Sequence, residues 1–189
     1  MLTWKRVQTA GGVRFVSALE QHESALLKNM ATSMQEMLDD RQSAAPADPL
    51  EQITGIRTGN ASAPEDVTMR RLLPDFVRDE SGAPSGSNGA LRSLHEPEII
   101  DAKIAAAQNL LDTLPDQGGP VELTESDAQA WIAAVNDMRL ALGTMLDIGP
   151  DTPDRLPSSD PKATHLDVYQ WLTVLQEYLV LGLMGKPIR

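Results

Sequence analysis

The chain has 189 residues, 41% of them hydrophobic, with a formal net charge of −11 and a pI near 4.6. Such acidity argues against the nucleic-acid backbone or an anionic lipid surface as its main partner. The absence of cysteine excludes disulfides, thiol catalysis and cysteine-ligated zinc or iron–sulfur centres.

In chain order, Trp4 to Val7 and Val13 to Val16 flank a QTAGG turn signal and predict a small β-hairpin. Ser17 with Glu20 has the spacing of a capping box, opening a helix to about Asp40. At about 100° per residue, that helix gathers Leu19, Leu26, Leu27, Met30, Met34, Met37 and Leu38 on one side, with Glu23 among them. RQSAAPADP breaks it, and Asp48-Pro49 suits the start of a short helix. Asp66 caps a second short helix through Arg70, Arg71 and Leu72. The run from Arg78 to Ala90 is small, polar and rich in glycine. It reads as a loop.

Pro97 suits the first turn of the next helix, which runs to about Leu114 with Lys103 in its apolar stripe. Val121-Glu122-Leu123 is a strand candidate for the N-terminal hairpin. Thr124 caps a helix to about Leu146, where Ala128, Trp131, Ile132, Val135, Leu142 and Leu146 surround Arg139. A proline-rich loop over 149–163 leads to a last helix, about Leu166 to Met184, apolar round most of its circumference and expected in the middle of the bundle. The reading is a mainly α, single-domain protein over 1–189. It is a bundle of about four long helices with short extra ones and an N-terminal hairpin or three-stranded sheet.

The opening MLTWKRVQTAGG lacks the apolar region of a secretory signal. Val168 to Met184 is interrupted by Gln170, Thr173, Gln176 and Glu177, and is shorter than the roughly 20 apolar residues that span a bilayer. A cytoplasmic protein without a membrane span is therefore expected. There is no GxSxG, GxxxxGK[ST] or GxGxxG segment, and His22, His95 and His165 are too scattered for a metal pair. No catalytic residue, metal site or cofactor is expected.

What remains is charge inside apolar stripes. Glu23, Lys103 and Arg139 must each find a partner or reach water, and a shared network of opposite signs answers all three. Arg139 and Glu23 are expected within ion-pair distance. Asn136 shares a strip with Arg139 and Gly143, and Arg71, with Arg70, is a candidate anion contact.

At RLLPD (71–75), Ala130-Trp131 with NDMRLALGT (136–144), and YQWLTVLQEYL (169–179), the chain resembles an actinobacterial family of unknown function. Glu23 before Leu26-Leu27, and Lys103, also fit, whereas Met145 stands where the family usually has arginine. The resemblance covers nearly the whole chain outside the 78–90 and 149–163 loops. Its genes often neighbour that of the Clp-protease adaptor, and some relatives carry a regulator label. The resemblance thus implies a non-enzymatic interaction or regulatory protein with a protein partner, linked to Clp-type proteolysis. A small anionic-ligand binder or enzyme using Glu23, Lys103, Arg139, Arg71 and Asn136 is the alternative, and direct DNA binding ranks third. Homo-oligomers through the last helix are also compatible.

Trp171, Leu172, Leu175, Tyr178 and Leu179 supply much of the large apolar side-chain area. Each side chain of that size contributes roughly 1.5–3 kcal/mol when buried, against a total of about 5–15. Truncation after His165 should therefore leave an aggregated or unfolded chain. A soluble fragment that melts cooperatively in calorimetry would contradict this.

Overall fold

A computed structural model describes residues 1–45, 55, 57–77 and 86–186. Three strands come from β1 (Lys5–Thr9), β2 (Gly12–Leu19) and β3 (Gly119–Leu123). The helices are α1 (Gln21–Ser43), the short α2 (Val67–Leu72), α3 (Ser87–Thr113), α4 (Glu125–Met145) and α5 (Ala163–Leu183). The architecture is mainly helical with a small antiparallel sheet in the order β1-β2-β3, as expected. The hairpin turns at Gly12, whose φ of 102° suits glycine, and Val121 of β3 pairs with Ser17 of β2. Among the described residues, no helix is long and apolar enough to cross a membrane.

Two helix starts lie elsewhere than expected. Ser17 belongs to β2, and Glu20 takes the N-cap of α1, with Glu23 reaching back to accept the Glu20 N–H at 2.8 Å. The capping spacing is present, but three residues further on. Helix α3 begins at Ser87, not Pro97, and carries Pro97 in its interior. A proline there removes a helical hydrogen bond and strands the carbonyl four residues earlier. Ser93 O, the orphaned acceptor, takes the Gly59 N–H at 2.7 Å. A side chain at position 59 would meet Pro97 Cγ at 2.9 Å, so only glycine lets that loop approach. The expected loop at 78–90 thus ends in helix. Its residues 78–85, and the short helix expected at Asp48-Pro49, lie outside the described residues.

Helices α2 and α4 start as their sequences imply. Asp66 accepts the Met69 N–H at 2.8 Å. Thr124 and Asp127 cap each other's backbone at 3.1 and 2.9 Å. At the other end of α4, Asp147 enters the left-handed region at φ 57°. That lets the Ile148 N–H return to Gly143 O at 2.9 Å.

The centre of the bundle is α4 and not α5. It packs against α1, α2, α3, α5, β2 and β3. Trp131 is wholly buried, meets Trp4 edge-on at 5.7 Å and donates its indole N–H to Thr113 Oγ1 at 2.7 Å. Helix α5 buries one face, through Leu166, Leu172, Leu175 and Leu179, while Val174 and Val180 on the other are exposed. An apolar circumference over-stated its burial because much of that side of the sequence is simply surface. The 149–163 segment is a mostly exposed loop, as expected.

A second internal charge network was not anticipated. Arg92 (1% exposed) donates to Glu96 Oε2 at 2.7 Å, Asp75 Oδ1 at 2.7 Å and Leu73 O at 3.1 Å. Glu96 also accepts from Arg41 Nε at 2.8 Å. The RLLPD segment is therefore a clasp: Leu72 and Leu73 enter the core while Asp75 and the Leu73 carbonyl hold Arg92. Removing one partner of such a buried pair costs about 3–5 kcal/mol. In urea denaturation Glu96→Ala should lose that much, and a loss below about 1 kcal/mol, the value of an exposed pair, would contradict the clasp.

Candidate functional site

The sequence-selected charges are dispersed rather than pooled. Glu23 Oε1 lies 2.6 Å from the Met1 ammonium, and its other oxygen caps α1. Burial raises the Glu23 carboxyl, but the Met1 ammonium and the Glu20 N–H outweigh that and hold it below the usual range. Lys103 of α3 donates to Asp137 of α4 at 2.7 Å. Arg139 donates to Asn136 Oδ1 at 3.3 Å. The expected Glu23–Arg139 pair is thus replaced by separate partners. The apolar stripes of α1 and α4 do both face the core, but Glu23 sits in the first turn beside β2 and the N-terminus, whereas Arg139 lies nearer the C-terminal end of α4.

Asp137 is the strained member. Its side chain is 6% exposed. Burial pushes its carboxyl above the usual range, against the opposing hydrogen bond and charge of Lys103. It stands one residue from Asn136 in the segment singled out above, and was passed over because only Arg139 was placed on the stripe axis.

Arg71 and Arg139 do come together beside α4, whereas Asn136 bonds to Arg139 without lining their cleft. Arg71 and Arg139 line a cleft of about 350 Å³, with Gly143, Thr144, Asp147 and Tyr169. The Arg139 guanidinium stands 6.0 Å from the Tyr169 ring centre. Its Nε is buried without a hydrogen-bond partner. Asn136 Oδ1 also accepts from Gln176 of α5 at 3.4 Å. Gly143 keeps the cleft's wall close: a side chain there would meet Tyr169 Cε2 at 3.0 Å. The earlier motif reading had the glycine and the arginine but not Tyr169, whose signal is its place at the head of the YxWLxxLQExL segment. Two guanidinium groups in one cleft suit an oxyanion such as a carboxylate or phosphate, against which the Asp147 carboxylate in the same lining acts. Among the described residues, no three histidine, aspartate or glutamate side chains are placed to hold a metal ion.

The RLLPD, NDMRLALGT and YQWLTVLQEYL segments thus frame the cleft. A family model described as a domain of unknown function, DUF2017, matches residues 1–183. The chain belongs to the DUF2017 family. Relatives in Mycobacterium tuberculosis and Mycobacterium bovis, both named oxidative stress regulator AosR, are 65% identical to it over 97% of this chain and 88% of their own length. A Mycobacterium leprae relative, named putative oxidative stress regulator AosR, is 57% identical over 96% of this chain and 88% of its own. No solved structure matches.

The buried Lys103–Asp137 pair gives a signed pH test. A carboxyl raised in the fold costs stability above its folded pKa, and that cost vanishes below the unfolded value near 3.8. Lys103→Met removes the compensating charge and should cost about 3–5 kcal/mol at pH 7. The loss should shrink as the pH falls and Asp137 takes up a proton. Thermal melts from pH 7 to 4.5 that show an unchanging loss would contradict the pairing.

Proposed function

We propose that the chain is a regulator of the response to oxidative stress, acting through contact with a protein partner and not through catalysis. The observation that carries this is the extent of likeness to the proteins named oxidative stress regulator: 65% identity across 97% of the chain. The physical features agree with it. The sequence has no GxSxG, GxxxxGK[ST] or GxGxxG segment, and the Glu23 and Lys103 charges serve helix capping and helix pairing. A net charge of −11 disfavours direct binding to the DNA backbone, so regulation through a protein that itself binds nucleic acid fits better. The gene neighbourhood implied by the family resemblance adds a finer expectation, a link to Clp-type proteolysis.

A second reading is favoured by the unpartnered Arg139 Nε. In it, a small anion enters the Arg71–Arg139 cleft and adjusts how α4 and α5 meet. The two readings are compatible if the anion is an effector.

The regulatory reading is tested in cells of the source organism that lack the gene. Exposure to hydrogen peroxide should give an altered transcript profile, restored by a plasmid copy. A profile indistinguishable from that of the parent would contradict the proposal.

A further inference from the structure

A second cleft runs between α1 and α4, over α2, with a volume of about 580 Å³ and a mainly apolar lining. Five of the chain's eight methionines line it: Met30, Met34 and Met37 from α1, and Met138 and Met145 from α4. On α1 the spacing of four and three residues places all three side chains on one face. On α4 the seven-residue spacing does the same. The sulfurs span a gradient of access. Met145 is 70% exposed, Met30 and Met37 are half-buried, and Met34 (4%) and Met138 (1%) form the floor.

Leucine fills apolar space of this kind about as well, since leucine and methionine exchange at small cost. Methionine differs in its chemistry. Its thioether is oxidised to a sulfoxide that enzymes can reduce again, and with no cysteine in these 189 residues thiol oxidation is closed to the chain. We infer that the α1–α4 methionine groove is a site of reversible oxidation by peroxide, entered at Met145 and reaching Met30 and Met37. This rests on the oxidative-stress reading above and supplies it with a chemistry.

The step balances without a metal. A lone pair on the methionine sulfur attacks one peroxide oxygen, an S–O bond forms and the O–O bond breaks. The departing oxygen collects both peroxide hydrogens and leaves as water. Sulfur is oxidised by two electrons and hydrogen peroxide is reduced. The product places a strong hydrogen-bond acceptor among apolar side chains, where polar groups without partners are disfavoured. At Met30 and Met37, which pack against the core, it weakens the seating of α1. At Met145 it lies largely in water, so that residue is the entry point and not the lever.

The purified full chain, treated with hydrogen peroxide, is followed by peptide mass spectrometry, near-ultraviolet circular dichroism and thermal melting. Met184, 58% exposed at the C-terminal end of α5 and outside the groove, is the internal reference for simple exposure. Sulfoxide should form at Met145 and then at Met30 and Met37. As the latter two react, Tm should fall by several degrees, and methionine sulfoxide reductase should restore it. Met30→Leu with Met37→Leu should keep the fold and remove the Tm response, whereas Met145→Leu alone should slow it. Oxidation of Met145 and Met184 with Met30 and Met37 still reduced would overturn the proposal. So would groove sulfoxides that leave Tm and spectrum unchanged. In cells, a Met30→Leu, Met37→Leu, Met145→Leu chain that supports a normal peroxide response would overturn the methionine assignment while leaving the regulatory reading standing. A normal response without the gene would overturn that reading itself.

Discussion

Asp137 faces the core from the helix that meets nearly every other element. A carboxylate in that position is tolerated only with a counter-charge at hydrogen-bond distance, and Lys103 supplies it at 2.7 Å. The pair ties α3 to α4 at one point along both helices. Burial of Trp131 against Trp4 and Thr113, six residues earlier on α4, then follows in the same register. Two well-packed apolar residues can match such a pair in free energy, but they would allow α3 to slide. The ion pair therefore acts mainly on which residues meet.

Glu23 and Arg139 meet separate partners and not one another. Glu23 serves the first turn of α1 and the Met1 ammonium. Arg92 and Glu96, one helical turn apart, are held between the RLLPD clasp and Arg41. Arg139 turns along α4 toward Asn136 and the Tyr169 ring. Local pairs require less of the chain than a shared centre. A single cluster of Glu23, Lys103 and Arg139 would need three helices to converge at different points along their lengths. Dispersal also leaves Arg139 beside Arg71 at an open cleft.

Much of the fold was legible because it rests on local chemistry. The hairpin turn, the Asp66 and Thr124 caps and the stripes of α1 and α4 are all set within a few residues of themselves. What escaped depends on partners distant in sequence. Pro97 reads as a helix start on its own, and only the Gly59 N–H arriving at Ser93 O explains its place inside α3. The position of α5 at the side of the bundle reflects which faces its neighbours cover, a property its own sequence does not carry. At the candidate site, Arg71, Arg139 and Asn136 were legible as residue types with the wrong companions. Asp137 was missed because a stripe seen from one helix does not say where the next helix lies. The Arg92–Glu96 spacing was available as an i,i+4 signal, hidden by the assumption that Pro97 began the helix.

Burial raises the Asp137 carboxyl against the opposing charge and hydrogen bond of Lys103, whereas Asp127 and Glu23, in the first turns of α4 and α1, are shifted the opposite way. Carbon-detected NMR titration of side-chain carboxyls measures this directly in the unmodified chain. Asp137 should titrate above the ordinary aspartate range, while Asp127, held by Asn109 and Thr124, and Glu23 should titrate below theirs. An Asp137 carboxyl that titrates with the exposed aspartates would contradict the account.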